Sequence, residues 1–225
     1  MNTKFLITAD SNRSALLKKK IIHYYIANGD ATIAELCKEM DLSIPTVTKL
    51  VGELLDDGYI LDFGKQETNG GRKPNIYGLN PVSGYFVGVD VFRSKINIAA
   101  VDFKGDKLRV EENIPYSLEN TPEALEMLCN LINDFIDRLS VPREKVLAVG
   151  VNISGRVNPV SGYSYSIFYF EEKPLSQILE ERIKIKIYIE NDTRAMMYGE
   201  YMQGVVKGEK NILFINMGWG LGLSI

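Results

Sequence analysis

The sequence predicts two domains: a small helical domain closed by a β-hairpin, and a larger α/β domain with helices packed on a mixed sheet. Two observations predict this division. Up to residue 80, apolar residues recur at helical spacing in three short segments and then at strand spacing around a glycine-rich turn. Beyond Asn80-Pro81, short apolar strands alternate with longer helical segments. We therefore predict domains at residues 1–80 and 81–225.

The composition is that of a globular protein without a broadly basic surface. The chain has 225 residues and 45% hydrophobic content, enough to bury a normal core in one or two domains. Its formal net charge is -3, and residues 1–80 carry equal numbers of basic and acidic side chains. Any contact with nucleic acid therefore has to come from local clusters of basic residues.

The chain has few cysteines and no long apolar run. Cys37 and Cys129 each occupy an apolar helical position, which predicts buried thiols and argues against a disulfide framework or a zinc site. No segment approaches the roughly 18 apolar residues of a membrane span. The N-terminus also lacks the apolar region of a secretory signal. We expect a cytoplasmic protein with no membrane partner.

The first two helices of the N-terminal domain are predicted from apolar spacing and end signals. The first follows Ser14 and ends near Asn28-Gly29. The second begins at Thr32, whose hydroxyl can cap the helix while Glu35 reaches back in a capping box. The apolar residues expected to face inward from these two helices are Leu17, Ile21, Tyr24, Tyr25, Ile33, Leu36, Cys37 and Met40.

The third helix carries the residues that we expect to contact DNA. Ser43 is the expected N-cap, and the inward face holds Val47, Leu50, Val51, Leu54 and Leu55. The outward residues near its N-terminus are Pro45, Thr46, Thr48 and Lys49. Short side chains let the first turn of a helix approach base edges in the major groove. An ordinary solvated face explains this helix, taken alone, equally well.

The residues after the third helix favour the DNA-binding interpretation. Strand patterns at residues 59–63 and 76–79 flank a glycine-rich turn, which predicts a β-hairpin, or wing. Arg72 and Lys73 lie beside its tip, where a basic side chain can enter a narrow minor groove, although a solvated loop is the alternative. Helix, turn, helix and wing in this order predict a winged helix-turn-helix that binds double-stranded DNA. We expect a homodimer because one such module buries too little surface for tight, specific binding.

The second domain is predicted to begin with three strands in an antiparallel meander. These strands are expected at residues 85–92, 95–103 and 107–116. Further strands are expected at 146–154, 185–192 and 211–218, and helices at 122–139, 175–183 and 194–205. The segment between the fourth strand and the second of these helices is predicted to be a loop rich in glycine and tyrosine.

Segments in both domains resemble the ROK family, which groups transcriptional repressors of sugar metabolism with sugar kinases on the actin-like ATPase fold. These segments are G-G-R-K-P-N-I-Y-G-L-N-P, V-G-V-D-V, V-N-I-S-G-R-V-N-P-V-S-G, E-N-D-T-R-A-M-M-Y-G-E and N-M-G-W-G-L-G. The resemblance covers nearly the whole chain and implies that the second domain is an α/β actin-like (ribonuclease H-like) lobe. A winged helix ahead of that lobe marks the repressor branch, because the kinases usually begin at the first strand.

The first phosphate loop implied by the resemblance departs from the kinase pattern. Asp90 matches the start of the kinases' Asp-x-Gly-Gly-Thr loop, whose small residues let backbone amides reach ATP phosphates. Here the sequence continues as V-F-R-S, so Phe92 and Arg93 would crowd that approach.

The second phosphate loop is also altered. Gly218, Gly220 and Gly222 match its glycines, but Trp219 replaces the family's usual Thr. The three glycines could equally form a tight turn between strands. Because phosphoryl transfer depends on positioning and electrostatics, two altered loops argue against kinase activity.

The sugar-binding part of the family pattern is better matched. Asn191 and Asp192 match the family's sugar-binding Asn-Asp pair, and in the kinases this aspartate also takes the proton from the attacking hydroxyl. An amide and a carboxylate at the end of a strand can together donate to and accept from vicinal hydroxyls. The alternative is that the pair caps the following helix, and the two roles are compatible. Ser154 and Gly155 match the loop over the sugar, where the family usually has Pro-Gly.

The chain stops at Ile225, inside what resembles the strand after the second phosphate loop. In the family a second lobe follows, which supplies a structural zinc site, further sugar contacts and much of the dimer interface. We therefore expect no cofactor within this chain, since the zinc site would lie beyond Ile225. We also expect a truncated form or gene fragment, or a chain whose apolar end needs a covering partner.

The leading hypothesis is a DNA-binding transcriptional regulator, a repressor of carbohydrate-metabolism genes that responds to a sugar or sugar phosphate. The sugar, bound near Asn191 and Asp192, would shift a dimer between two forms of different DNA affinity. One alternative is a ROK-type sugar kinase with an added N-terminal domain, in which Asp192 is the general base. Another is a truncated product that binds DNA constitutively.

Overall fold

The computed structural model describes residues 12–65, 74–206, 208–218 and 220–225. The chain divides into two compact units. The first contains the residues up to Tyr85 and also Val101–Leu108, and the second contains Phe86–Ala100 and Arg109–Ile225.

The first unit consists of three helices and a small sheet. Its elements are α1 (Arg13–Asn28), β1 (Ala31–Thr32), α2 (Ile33–Met40), α3 (Ile44–Asp56), β2 (Ile60–Lys65) and β3 (Asn75–Leu79). The strands lie in the order β1-β3-β2, and both pairs are antiparallel. The three predicted helices and the two strands of the predicted hairpin are thus present. Strand β1 was not predicted, because two residues are too few to show a strand pattern.

The helix ends follow the local rules with two differences. The predicted capping box is confirmed, since the N–H of Glu35 donates to Thr32 Oγ1 and the N–H of Thr32 donates to Glu35 Oε2 at 2.7 Å. Helix α1 begins at Arg13 because Asn12 Oδ1 accepts from the third residue beyond it. Ser43 is the N-cap residue of α3, but its hydroxyl bonds Thr46 Oγ1 at 2.8 Å and not the helix backbone.

The core of the first unit is formed by one face of each helix and by the strand ends. Its buried residues include Ile21, Ile22, Tyr25, Leu36, Val47, Leu50, Val51, Leu54, Tyr59, Ile60 and Leu79. The prediction that Cys37 is buried was wrong. Its side chain is partly exposed, because the short helix α2 buries only Leu36. Lys18 joins α1 to the end of α3. Its Nζ lies 2.8 Å from Glu53 Oε2 and 3.6 Å from Asp57 Oδ2.

Most of the remaining elements build the second unit. The strands are β4 (Tyr85–Val91), β5 (Lys95–Asp102), β6 (Lys107–Pro115), β7 (Val146–Ile153), β8 (Val157–Asn158), β9 (Tyr163–Ser164), β10 (Ile187–Asn191), β11 (Phe214–Met217) and β12 (Leu221–Ser224). The helices are α4 (Pro122–Asp137), α5 (Leu175–Ile183) and α6 (Asp192–Gln203). This is the predicted α/β arrangement.

The main sheet has the strand order β10-β7-β4-β5-β6. Strands β7 and β10 are parallel, with Val149 opposite Ile187 and Ile153 opposite Asn191. The tight connections between β4, β5 and β6 are compatible only with antiparallel pairing, as the meander prediction requires. The sheet is therefore mixed, and the carboxyl ends of β7 and β10 lie at the same edge.

Two segments differ from the prediction. The loop predicted after β7 contains the short antiparallel pair β8–β9, and the strand predicted at 211–218 begins only at Phe214 and pairs with β12. Helix α6 begins at Asp192, earlier than predicted, because Asn191 caps it. Helix α4 packs as predicted, with Leu125, Leu128, Cys129, Ile132 and Ile136 buried. Within the part of the chain that the structure describes, no helix has the length and apolar character needed to cross a membrane.

Candidate functional site

The second unit contains a cavity of about 780 Å³ at the edge of the main sheet. It lies where the β4–β5 turn, the end of β7, the β10–α6 junction and the β11–β12 turn meet. Its lining residues are Val91, Phe92, Arg93, Leu118, Ser154, Gly155, Ile167, Asn191, Asp192, Thr193, Met196, Asn216, Gly218, Gly220, Leu221, Gly222 and Leu223. All the residues predicted to bind sugar line it, together with the three glycines of the second phosphate loop. Their binding roles stay predictions.

Asn191 connects the strand, the helix and the loop around this cavity. Its Oδ1 accepts from the N–H of Arg194 at 3.1 Å, which makes it the N-cap of α6. Its Nδ2 donates to the carbonyl of Gly155 and to Asp192 Oδ1, both at 2.9 Å. Because an amide nitrogen has two hydrogens, both donors of Asn191 are engaged, and only its oxygen can bond a ligand. The capping interpretation of Asn191 is therefore confirmed.

Asp192 retains an acceptor for a ligand. Its Oδ1 accepts from Asn191 Nδ2, from the N–H of Thr193 at 2.7 Å and from Thr193 Oγ1 at 3.3 Å. Among the residues that the structure describes, none donates to its Oδ2. Since Asp192 lines the cavity, this oxygen is available to a hydroxyl group of a bound molecule.

The loop after β7 has a shape that requires glycine. Gly155 has a φ of 91°, and a Cβ on it would collide with the side chain of Ser166. The N–H of Arg156 donates to Ser166 Oγ at 2.9 Å. With Asn191 holding the carbonyl of Gly155, the Ser154–Gly155 turn is fixed from two sides although the family's usual proline is absent.

The glycines of the second phosphate loop have two different roles. The N–H of Gly218 donates to the carbonyl of Gly220 at 3.0 Å, which forms a tight turn between β11 and β12. A Cβ on Gly222 would collide with Thr193, whose Oγ1 also accepts from Asn216 Nδ2 at 3.3 Å. Gly222 therefore lets β12 approach the start of α6. Trp219 lies outside the described residues.

Asp90 is a carboxyl group with an unusual environment. Burial, and next the charge of Asp192, raise its pKa from the ordinary value of 3.8 to about 6, although Lys95 opposes this shift. Its Oδ1 is buried, and no described residue forms a hydrogen bond with it. Phe92 and Arg93 follow Asp90 after Val91, and both line the cavity, as expected from their place in the loop.

An apolar wall of the cavity was not anticipated from the sequence. Leu118, Ile167 and Met196 contribute to it. Two of these residues lie in irregular segments and one on a helix, and none belongs to a recognisable motif. Only the folded arrangement reveals them.

The first unit presents the predicted DNA-contacting turn to solvent. Pro45, Thr46, Thr48 and Lys49 are all exposed, whereas Val47 between them is fully buried. The Nζ of Lys49 is 3.9 Å from Glu53 Oε1, which is a weak exposed pair that a phosphate can displace. Ile44 beside them is 63% exposed and was not anticipated. Arg72 and Lys73 lie outside the described residues, so their roles stay predictions.

Replacing Asp90 by Asn tests the pKa assignment. Because the pKa of Asp90 is higher in the folded protein than its ordinary value, the contribution of this one group to folding stability is fully present below the ordinary value of 3.8 and is lost as the pH rises through about 6. Asn imitates the protonated acid, so Asp90→Asn raises the free energy of unfolding at about pH 7.5 and leaves it unchanged at about pH 4. Urea unfolding at the two pH values measures this.

Asp134→Asn, at an exposed position on α4, is the matched control and shows no such pH-dependent gain. An equal gain for Asp90→Asn at both pH values would contradict the assignment, because the benefit would then not come from the carboxyl charge.

Comparison with known proteins agrees with the two-part architecture. A putative xylose repressor of Caldicellulosiruptor sp. (strain Rt8B.4) is 26% identical over 95% of this chain and 53% of its own length. The regulator NagC of Escherichia coli K12, described as a DNA-binding transcriptional dual regulator, is 26% identical over 88% of this chain and 49% of its own length. The chain spans about half the length of these curated relatives.

Solved structures show the same fold. A ROK family transcriptional regulator, a homolog of the E. coli MLC protein, superposes with a TM-score of 0.70 over 92% of this chain and 54% of its own, at 21% identity. A ROK family glucokinase from Streptomyces griseus, in complex with glucose and AMPPNP, superposes with a TM-score of 0.51 over 62% of this chain and 43% of its own, at 26% identity.

Two family models match the chain in succession. The model for winged helix-turn-helix DNA-binding matches residues 16–60, which contain α2, α3 and all but the first three residues of α1. The ROK family model matches residues 86–225, more than half of the chain and the part that contains the cavity. The chain therefore belongs to the ROK family.

Proposed function

We propose that this chain is a sugar-responsive, DNA-binding transcriptional repressor. The observation that carries the proposal is the combination, in one polypeptide, of an exposed first turn on α3 and a cavity in which Asp192 offers an acceptor oxygen. Relatives that align with 92% and 88% of this chain are named xylose repressor and N-acetylglucosamine repressor. A homodimer and a cytoplasmic location are part of the proposal.

The DNA-binding part of the proposal assigns α3 to the major groove. Thr46 and Thr48 are short enough to let the backbone approach base edges, and Lys49 supplies a positive charge at the same turn. Arg72 and Lys73 are assigned to the phosphate backbone or the minor groove. The modest basic content of the first domain means that few phosphate contacts are available, so each one matters for affinity.

Gel-shift titration with a duplex that the wild-type chain selects from a random-sequence pool tests this assignment. Lys49→Ala and Arg72→Ala each weaken binding, by about fivefold to tenfold, because each removes a contact worth on the order of 1 kcal/mol. Lys38→Ala, at an exposed position on α2, removes the same charge and leaves affinity nearly unchanged. Unchanged binding in both Lys49→Ala and Arg72→Ala would reject the assignment.

The sensing part of the proposal assigns a neutral polyol to the cavity. A sugar hydroxyl donates to Asp192 Oδ2, and the remaining lone pair of Asn191 Oδ1 can accept from a neighbouring hydroxyl. Leu118 and Ile167 offer apolar surface to the carbon face of the ring. The names of the relatives make xylose and N-acetylglucosamine the first sugars to test.

Calorimetry of wild type and Asp192→Asn with these two sugars tests the assignment. Asn at this position replaces an acceptor oxygen by a donor amide in one orientation, or disrupts the bonds from Asn191 and Thr193 in the other. Affinity for the sugar therefore falls about tenfold or more, equivalent to roughly 1.4 kcal/mol. Asp134→Asn is the control for a distant charge change and binds the sugar like wild type.

Sugar binding that is equal in wild type and Asp192→Asn would contradict the assignment of the sugar to this cavity.

The same samples with ATP and Mg²⁺ test the alternative that the chain is a kinase. We propose that no ADP is released, because Phe92 and Arg93 stand where a phosphate loop needs small residues. Turnover that Asp192→Asn abolishes would establish the kinase alternative instead.

A further inference from the structure

A turn from the part of the chain that the ROK family model matches is built into the first unit. Val101–Leu108, which contains the end of β5, the turn and the start of β6, belongs to the compact unit that contains the winged helix, although the ROK family model includes these residues. Phe103 at this turn is buried, and its ring lies 5.7 Å from the ring of Tyr59, which is fully buried. The N–H of Phe103 donates to the carbonyl of Pro81 at 3.2 Å.

The conformation of this turn is fixed by its own hydrogen bonds. Asp102 Oδ1 accepts from the N–H of Lys104 at 2.8 Å and from the N–H of Asp106 at 3.0 Å. Gly105 has a φ of 92°, in the region that favours glycine. The turn therefore presents Lys104 in a defined direction.

Lys104 contacts both the edge strand of the wing and the segment before β1. Its Nζ lies 3.7 Å from Asp30 Oδ1 and 5.6 Å from the centroid of the Phe63 ring, in a cation–π arrangement. Gly78 on β3 provides the space, because a Cβ there would collide with the Asp30 carboxylate and lie 2.9 Å from Phe63 Cε2. We call Asp30, Phe63, Gly78 and Lys104 the wing clamp.

The clamp acts on the strand of the wing whose pairing is irregular. Strand β2 is at the edge of its three-stranded sheet, and its register with β3 shifts between Asp62 and Lys65. A strand with an irregular register is weakly specified by pairing alone and can twist or slip. Phe63 lies within the irregular stretch, so a contact on its ring acts where the pairing is least regular.

We propose that Lys104 is a positioning residue for DNA binding, which fixes the base of the wing through Asp30 and Phe63. This inference rests on the proposed DNA-binding function. The clamp holds the described parts of β2 and β3 in place, and Arg72 and Lys73 belong to the segment between these two strands. The winged helix is thus completed by a turn that lies outside its own stretch of sequence.

Hydrogen exchange tests the clamp without DNA. In Lys104→Ala, the amides of β2 and β3 exchange about threefold to tenfold faster than in wild type, while those of α1 and β10 are unchanged. Lys107→Ala is the matched control, since Lys107 is an exposed lysine at the start of β6, directly after the same turn. Exchange in β2 and β3 that is equal in Lys104→Ala and wild type overturns the clamp.

A double-mutant cycle with DNA tests the positioning role. Lys104→Ala weakens binding to the selected duplex by about threefold to tenfold, and Arg72→Ala then costs less in the Lys104→Ala background than in wild type. Additive losses overturn the inference, because they mean that Lys104 acts independently of the wing. Equal affinity of Lys104→Ala and wild type also overturns it. If the wild-type chain selects no duplex, the proposed function fails, and the exchange experiment still decides whether the clamp exists.

Discussion

The side-chain amide of Asn191 is the interaction on which the second unit's cavity depends. It caps α6, bonds the carbonyl of Gly155 and bonds Asp192 Oδ1, so one residue fixes the helix start, the loop and the carboxylate together. Each such hydrogen bond contributes on the order of 1 kcal/mol to stability. Together the three bonds also fix the relative positions of the helix start, the loop and the carboxylate. Without this amide, the loop and Asp192 would lose the hydrogen-bond partner that they share.

Two carboxyl groups, those of Asp90 and Asp192, influence each other near this junction. Asp90 and Asp192 are close enough for the charge of Asp192 to raise the pKa of Asp90. Carboxylate oxygens accept hydrogen bonds from hydroxyl groups, and Arg93 is the one basic side chain among the described residues that line the cavity. Which group of a ligand lies beside these two carboxyl groups stays a prediction.

The sequence predicted those features that depend on local chemistry. The capping box of Thr32 and Glu35, the burial of the α4 face and the Asn191 cap follow from rules that act within one turn of helix. The strands of two residues could not be predicted, because β1, β8 and β9 are too short to show periodicity. Whether Arg72 and Lys73 contact DNA stays a prediction.

Features that depend on tertiary arrangement could not be predicted from the sequence either. Membership of Val101–Leu108 in the first unit depends on the contacts of Phe103 and Lys104, which are remote in sequence from their partners. The apolar wall of Leu118, Ile167 and Met196 has the same origin. The residues assigned to sugar were found through a family motif, because composition and spacing alone would have favoured a simple helix cap.

The central claim is that one chain binds both DNA and a sugar and that each affects the other. Fluorescence anisotropy of the selected duplex, titrated with protein at increasing sugar concentration, tests it most directly. We expect saturating sugar to change the DNA affinity by a constant factor, and saturating DNA to change the sugar affinity by the same factor, as linkage requires. The Asp192→Asn variant binds DNA normally and shows no such response. A wild-type DNA affinity that is independent of a sugar shown to bind the chain would contradict the account.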